Sequence, residues 1–178
     1  MLLTDVADIG MATESLSQYE DLVTLPCYEW QHVLVLPTGH PMLDKERLGL
    51  ADLASLPLIT YHPSFTGRTR IDTAFAARDL TPNIVLEAID SDVIKTYVKL
   101  VMRARIVADM AVQNDYRDPD LAARPLGHLL GMNVARVAFK RGAYLRNYVL
   151  KFAELLSDRL SKDLILKAME GHGDSYQL

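Results

Sequence analysis

Cysteine is almost missing from this sequence: Cys27 is the single one among 178 residues, so no disulfide can close within the chain. Its neighbours Leu25, Pro26 and Tyr28 are apolar, and the thiol is expected to be a small buried hydrophobe rather than a reactive group. Long apolar runs are missing as well. Charges interrupt every stretch well short of the roughly 20 residues that a membrane-spanning helix needs, so no membrane partner is expected. The first ten residues carry Asp5 and Asp8 instead of a basic leader with an apolar stretch, and the expected compartment is the cytoplasm. Nor is there an excess of positive charge. The 19 lysines and arginines are scattered among 23 acidic residues, and the one local cluster, Lys140-Arg141 with Arg146 nearby, is small. A DNA-binding domain concentrates base to neutralise phosphates, so this chain by itself is not expected to bind nucleic acid.

Catalytic signatures are absent too. No glycine-rich dinucleotide fingerprint, phosphate loop, zinc-protease helix or nucleophile elbow occurs. The five histidines, His32, His40, His62, His128 and His172, have neither metal-ligand spacing nor cysteine partners. A hydrolytic set can be improvised from His62, Ser64 and an aspartate, but nothing marks the strained nucleophile that such a set requires. No catalytic residue, metal ligand or cofactor is therefore expected.

What is present is a chain of 178 residues, 49% hydrophobic and 24% charged, enough for one sizeable domain or two small lobes. Strand patterns fall at Ala7 to Thr13, His32 to Leu36, Leu58 to Tyr61, Asn83 to Ile89, Ile106 to Met110 and Val134 to Phe139. Helices are predicted for Leu50 to Ala54, and for a segment carrying Ile71, Ala74, Phe75 and Arg78 at helical spacing. Another follows the capping residues Asp90-Ser91-Asp92, with apolar positions Val93, Ile94, Tyr97, Val98 and Val101. From Tyr144 the stripe Leu145, Tyr148, Val149, Phe152, Leu155 and Leu156 predicts a further helix, then Leu160 to Met169 a short one, before a frayed tail from Gly171. This alternation predicts an α/β fold with largely parallel strands and a ligand crevice at strand C-terminal ends. The opening strand pattern looks interior, as if the chain began in the middle of a domain.

One constellation suits binding. Thr66-Gly67-Arg68-Thr69 lies between a strand and a helix start, where free amide groups and the helix dipole favour anions. Gly67 permits close backbone approach, and the Thr66 hydroxyl can donate to an oxyanion. Helix capping by Thr66 or Thr69, with Arg68 as a solvated charge, explains the same residues equally well. Thr13-Glu14-Ser15 ends a strand in a similar way, as hydroxyl donors or as a plain polar turn. Trp30, the one tryptophan, is either ordinary packing or a pocket wall.

Five stretches together resemble one family. They are Ala12 to Leu16, Asp21 to Trp30 with its Leu-Pro-Cys-Tyr-Glu-Trp run, Thr60 to Phe75 with Phe65-Thr66-Gly67-Arg68, Leu80 to Val85, and Asp90 to Leu100. In this order they are similar to the effector-binding domain of LysR-type transcriptional regulators, in the CysB-like branch, with looser likeness from Val134 to Phe152. The resemblance implies a periplasmic-binding-protein-like type 2 fold of two Rossmann-like α/β lobes with an effector cleft between them. Residues 1–27 and 132–178 would form the first lobe and 28–131 the second. It further implies a sulfate-like anion site for a small-molecule effector, with acetylserine, sulfate or a similar sulfur anion as ligand. Thr13, Trp30 and Thr66 fall on the anion contacts, and Gly67 with Arg68 shapes the same loop, completing the candidate ligand-binding set. A homo-oligomer is implied for the intact regulator, which would reach DNA only through an N-terminal helix-turn-helix that this chain lacks.

Two departures stand out. The helix-turn-helix, the linker helix and the family's Thr-x-Thr-Gln opening run are not in the sequence, which leaves the first lobe incomplete by expectation. The family's glycine-rich turn is replaced by Val101-Met102-Arg103-Ala104-Arg105, whose side chains resist positive φ, so the turn must be rebuilt. Three rivals stay open: a solute-binding protein for a small oxyanion, an enzyme holding a phosphate or carboxylate on Thr66 and Arg68, and a degraded reading frame without a stable fold.

Overall fold

The computed structural model describes residues 1–13, 16, 19–88, 104–113 and 119–171, apart from the side chains of Thr66 and Gln113. The chain divides into two compact units, Met1–Glu29 with Asn133–Leu178, and Trp30–Met132.

In the first unit, strand β1 (Gly10–Thr13) pairs antiparallel with β7 (Met132–Lys140), placing Gly10 opposite Ala138 and Thr13 opposite Ala135. Beyond β7 lies the opening half of β2 (Leu22–Pro37). Period-two alternation sends Val23, Leu25 and Cys27 of β2 to one face, where they meet Val137 and Phe139 of β7. Two helices cover that face, α5 (Asn147–Leu156) and α6 (Lys162–Met169). They contribute Val149, Leu150 and Ala153, then Ile165 and Ala168, with Leu160 between them. Cys27 is buried as expected, its thiol 3.9 Å from the Leu156 carbonyl while the Ser157 hydroxyl donates to its own carbonyl at 2.6 Å. Burial pushes the thiol pKa up, only partly offset by Ser157, which suits an unreactive sulfhydryl.

The second unit is built on the closing half of β2. It is flanked by β5 (Ala104–Ala108) and by β6 (Leu121–Pro125), both antiparallel to it. Next to β5 come β3 (Leu58–Tyr61) and β4 (Ile84–Ala88), which run parallel. Helices α1 (Leu50–Ala54), α2 (Thr66–Ala76), α3 (Met110–Gln113) and α4 (Gly127–Leu130) complete the unit. Leu34 and Leu36 face one core with Leu58, Ile106, Ile71, Phe75 and Leu130. Val33 and Val35 face the other with Ile59, Ala88 and Val107. Burial on both faces explains why His32 to Leu36 is an unbroken apolar run rather than an alternating one.

Several expectations need correction. The strands are not largely parallel: β2 is antiparallel to both neighbours in its unit, and among the described residues the parallel pairs are β3 with β4 and β3 with β5. Apolar runs reveal that a strand exists but carry no record of which way its partner runs. The first strand is Gly10–Thr13 rather than Ala7 to Thr13, and Met11 is exposed, so it is not an interior strand. Met110 opens α3 instead of ending β5. The stripe on α5 is also rotated from the expected one. Val149, Leu150 and Ala153 are buried, whereas Tyr148 (57%), Phe152 (50%) and Leu155 (85%) are exposed. Of the rebuilt turn, Ala104 and Arg105 belong to β5 and are buried in extended backbone, while 101–103 lie outside the described residues. The helix expected after Asp90 and the tail beyond Gly171 lie outside them too.

Candidate functional site

The loop that drew attention in the sequence joins β3 to α2 and is pinned at both ends. At its start the His62 amide donates to the Ala88 carbonyl at 3.1 Å, and the Tyr61 hydroxyl accepts from the Ala108 amide at 3.2 Å. At its end Phe65 is the N-cap of α2, in extended backbone, and makes no side-chain capping bond. Thr66 is therefore the first helical residue and not the cap. The N-cap makes no side-chain bond and no acidic residue occupies the first turn, so the helix itself carries neither a cap side chain nor a carboxylate at the positive end of its 11 residues.

Behind that first turn stand two aromatic rings. Trp30 and His32 are two residues apart on β2 and so project to the same side of the strand. Their rings meet edge to face, with centroids 5.0 Å apart. Trp30 is 8% exposed and His32 is fully buried. The backbone between and beside them is held firmly, since the Gln31 carbonyl accepts from Asp109 at 2.9 Å and the His32 carbonyl from Leu126 at 2.9 Å. The Gln31 side chain also accepts from the Gly127 amide at 3.1 Å. Gly67 rests directly against the ring pair. A Cβ at this position would lie 3.1 Å from His32 Nε2 and 3.3 Å from the Trp30 ring. Glycine is what lets the start of α2 approach so closely.

Arg68 is buried, and its guanidinium is occupied by the protein's own oxygens. Nε donates to Asp72 at 2.8 Å, and Nη1 donates to Glu87 at 2.6 Å and to the Tyr61 carbonyl at 3.0 Å. Burial works against the charge, but Glu87 and Asp72 outweigh it and hold the guanidinium pKa above its ordinary value. Arg68 thus ties α2 to β3 and β4. Arg70, one turn into the helix, supplies a further positive charge beside the ring pair. Burial first, and Arg70 second, bring the His32 pKa down to about 4. The Gly67 backbone, near the ring but outside hydrogen-bonding geometry, offsets this only in part. At neutral pH the ring is uncharged.

Of the candidate residues, Trp30, Gly67 and Arg68 come together in the second unit, with the backbone of Thr66 beside them. Thr13 ends β1 in the first unit, partly buried. His32 was passed over in the sequence as a strand residue without metal spacing. Its placement two residues after Trp30, on the same strand face, was the signal that could have found it. The improvised His62 and Ser64 pair does touch, with Nδ1 3.0 Å from the hydroxyl, but both are exposed. The same nitrogen accepts from the Ser64 amide at 3.2 Å, which makes the contact a turn closure. Among the described residues no cluster of three or more His, Cys, Asp or Glu could hold a metal, and no helix is long and apolar enough to cross a membrane.

Residues 1–161 match the family described as the LysR substrate binding domain. The chain belongs to this family. It is 52% identical over its whole length to the HTH-type transcriptional regulator CysB of Burkholderia cenocepacia, covering 56% of that protein. SsuR, an HTH-type transcriptional regulator of the same organism, is 44% identical over 91% of this chain and 52% of its own length. This LysR substrate-binding domain therefore spans about half the length of the curated relatives it matches. Among solved structures, the cofactor-binding domain of the Cbl transcriptional regulator superposes with a TM-score of 0.82 at 42% identity, covering 95% of this chain and 74% of that one. The fold is accordingly the periplasmic-binding-protein-like type 2 fold of LysR effector-binding domains, which the sequence resemblance implied.

Proposed function

We propose that this chain is the effector-sensing part of a LysR-type transcriptional regulator of sulfur assimilation and cysteine biosynthesis. Its ligand is a small anion or acetylserine held at the start of α2. The observation that carries this reading is the first turn of α2, uncapped and free of carboxylates, with Gly67 packed on Trp30 and His32 and with Arg70 nearby. Thr13, Trp30 and Thr66 are the proposed ligand contacts. Gly67 and Arg68 act by shaping the loop, Gly67 through close approach and Arg68 through its bonds to Asp72, Glu87 and Tyr61.

No chemistry on the ligand is required, and the protein is read as a sensor rather than an enzyme. The effector would act through its different affinities for two arrangements of the regulator. The curated relatives are named as HTH-type transcriptional regulators, which supports the regulatory reading. The intact regulator is proposed to be a cytoplasmic homo-oligomer that reaches DNA through its helix-turn-helix. Thermal unfolding of the 178-residue protein with sulfate, O-acetylserine and N-acetylserine tests the site. At a hundred times its Kd a ligand adds about 2.7 kcal/mol, enough to raise Tm by several degrees. At least one of the three is expected to do so, and Thr66→Ala to lose the effect. If none stabilises the parent, the reading is wrong.

A further inference from the structure

His32 is fully buried, yet neither ring nitrogen has a hydrogen-bond partner among the described residues. Buried polar atoms left unbonded lower stability, and such atoms ask for an explanation. Here the placement supplies one. Nε2 faces Gly67, the second residue of α2, at the distance where a Cβ would intrude. It therefore looks onto the helix start, which lacks a cap side chain and a first-turn carboxylate. Two independent features, an uncapped helix N-terminus and a buried ring without partners, converge on one spot.

We propose that His32 is a specificity-determining contact of this site, its ring donating one N–H to an oxygen of a small oxyanion seated at the first turn of α2. This rests on the anion-site reading above and adds a residue to it. Arg70 is the charged group that acts on the ring, and together with burial it keeps the imidazole neutral. A neutral imidazole offers one N–H and one lone pair. Turned toward the helix start as a donor, it favours an ionised oxygen, which only accepts, over a hydroxyl that would also bring a hydrogen. Trp30 holds the ring edge-on and limits its rotation, so the donor direction is fixed before the ligand arrives.

The test is calorimetric titration of sulfate into the parent protein, His32→Phe, His32→Gln and Thr66→Ala at neutral pH. Phenylalanine keeps the ring and removes both nitrogens. It is expected to weaken sulfate binding tenfold or more, with a thermal melt confirming that the ligand-free variant remains folded. His32→Gln, which keeps a donor, is expected to retain part of the affinity. If His32→Phe binds sulfate like the parent while Thr66→Ala does not, the anion site stands and the role of His32 is overturned. If the parent itself does not bind sulfate, the role of His32 is overturned, and the anion-site reading falls with it only if O-acetylserine and N-acetylserine do not bind either. A readout independent of any variant is the nitrogen NMR spectrum of the histidine rings in the parent. The His32 resonances are expected to move as sulfate is added, and resonances that stay still while sulfate binds would overturn the inference.

Discussion

At the residue scale, Gly67 sets two effects against each other. Alanine is favoured over glycine in a helix by about 1 kcal/mol. Its Cβ, however, would sit 3.1 Å from His32 Nε2 and 3.3 Å from Trp30, two buried rings on a strand held by backbone bonds on both sides. Overpacking of this kind costs about 1–3 kcal/mol and wins. Gly67→Ala is therefore expected to lose about 1 kcal/mol in urea unfolding. A variant more stable than the parent would show that the rings yield. His32 also makes a prediction in pH. Its pKa is about 4 in the folded chain and near the ordinary 6.5 when unfolded, so between these values the unfolded state binds more protons. Stability is full above about pH 6.5 and falls as pH drops toward 4, by up to about 3 kcal/mol. Denaturant melts of parent and His32→Phe across this window check the claim, since the variant should lack that part of the pH dependence.

At the element scale, α5 shows where the sequence was legible and where it was not. That a helix follows Tyr144 was plain from its spacing, and so were the ends of α1 and β3. The face it buries was misjudged because apolar residues nearly encircle it. Val149, Leu150 and Ala153 face the core, and the small Ala153 did not stand out as the pivot of the contact. Leu150→Ala is accordingly expected to cost about 2–5 kcal/mol, and Leu155→Ala less than about 0.5 kcal/mol, in the same unfolding measurement. Comparable losses would mean that the helix buries the other face. The first half of β2 was missed for a different reason. Pro26 interrupts a strand pattern that Leu25 and Cys27 would otherwise complete, and proline in a run argues against a strand. Short elements such as α3 and α4, four residues each, leave too little periodicity to read.

At the scale of the whole molecule, each of the two units closes its own core, and in the first unit that core joins segments far apart in the chain. Arg136 Nε donates to the Thr24 hydroxyl at 3.2 Å across 112 residues, and Val137 packs with Val23 and Leu25. Nothing local in the sequence announces such a return. The α/β class was legible from alternating patterns, but the two-lobed fold came only through resemblance to the LysR family. The site shows the same division. Thr66 and Gly67 could be seen as a helix start suited to an anion, yet a cap explained them as well until Phe65 was found at the N-cap position. Arg68 read equally as part of the anion loop or as a solvated charge, and it is a buried brace paired with Asp72 and Glu87.

The central claim is that a small anion sits on the first turn of α2. The most direct measurement is a titration of the isotopically labelled 178-residue protein with sulfate, followed through its backbone amide resonances. The account predicts saturable shifts centred on Thr66, Gly67 and Arg68, with the Trp30 and His32 amides moving in step. Amides at the start of α5, another helix without a cap side chain or first-turn carboxylate, should stay still. Shifts spread evenly over both helix starts, or none that saturate at α2, would contradict it.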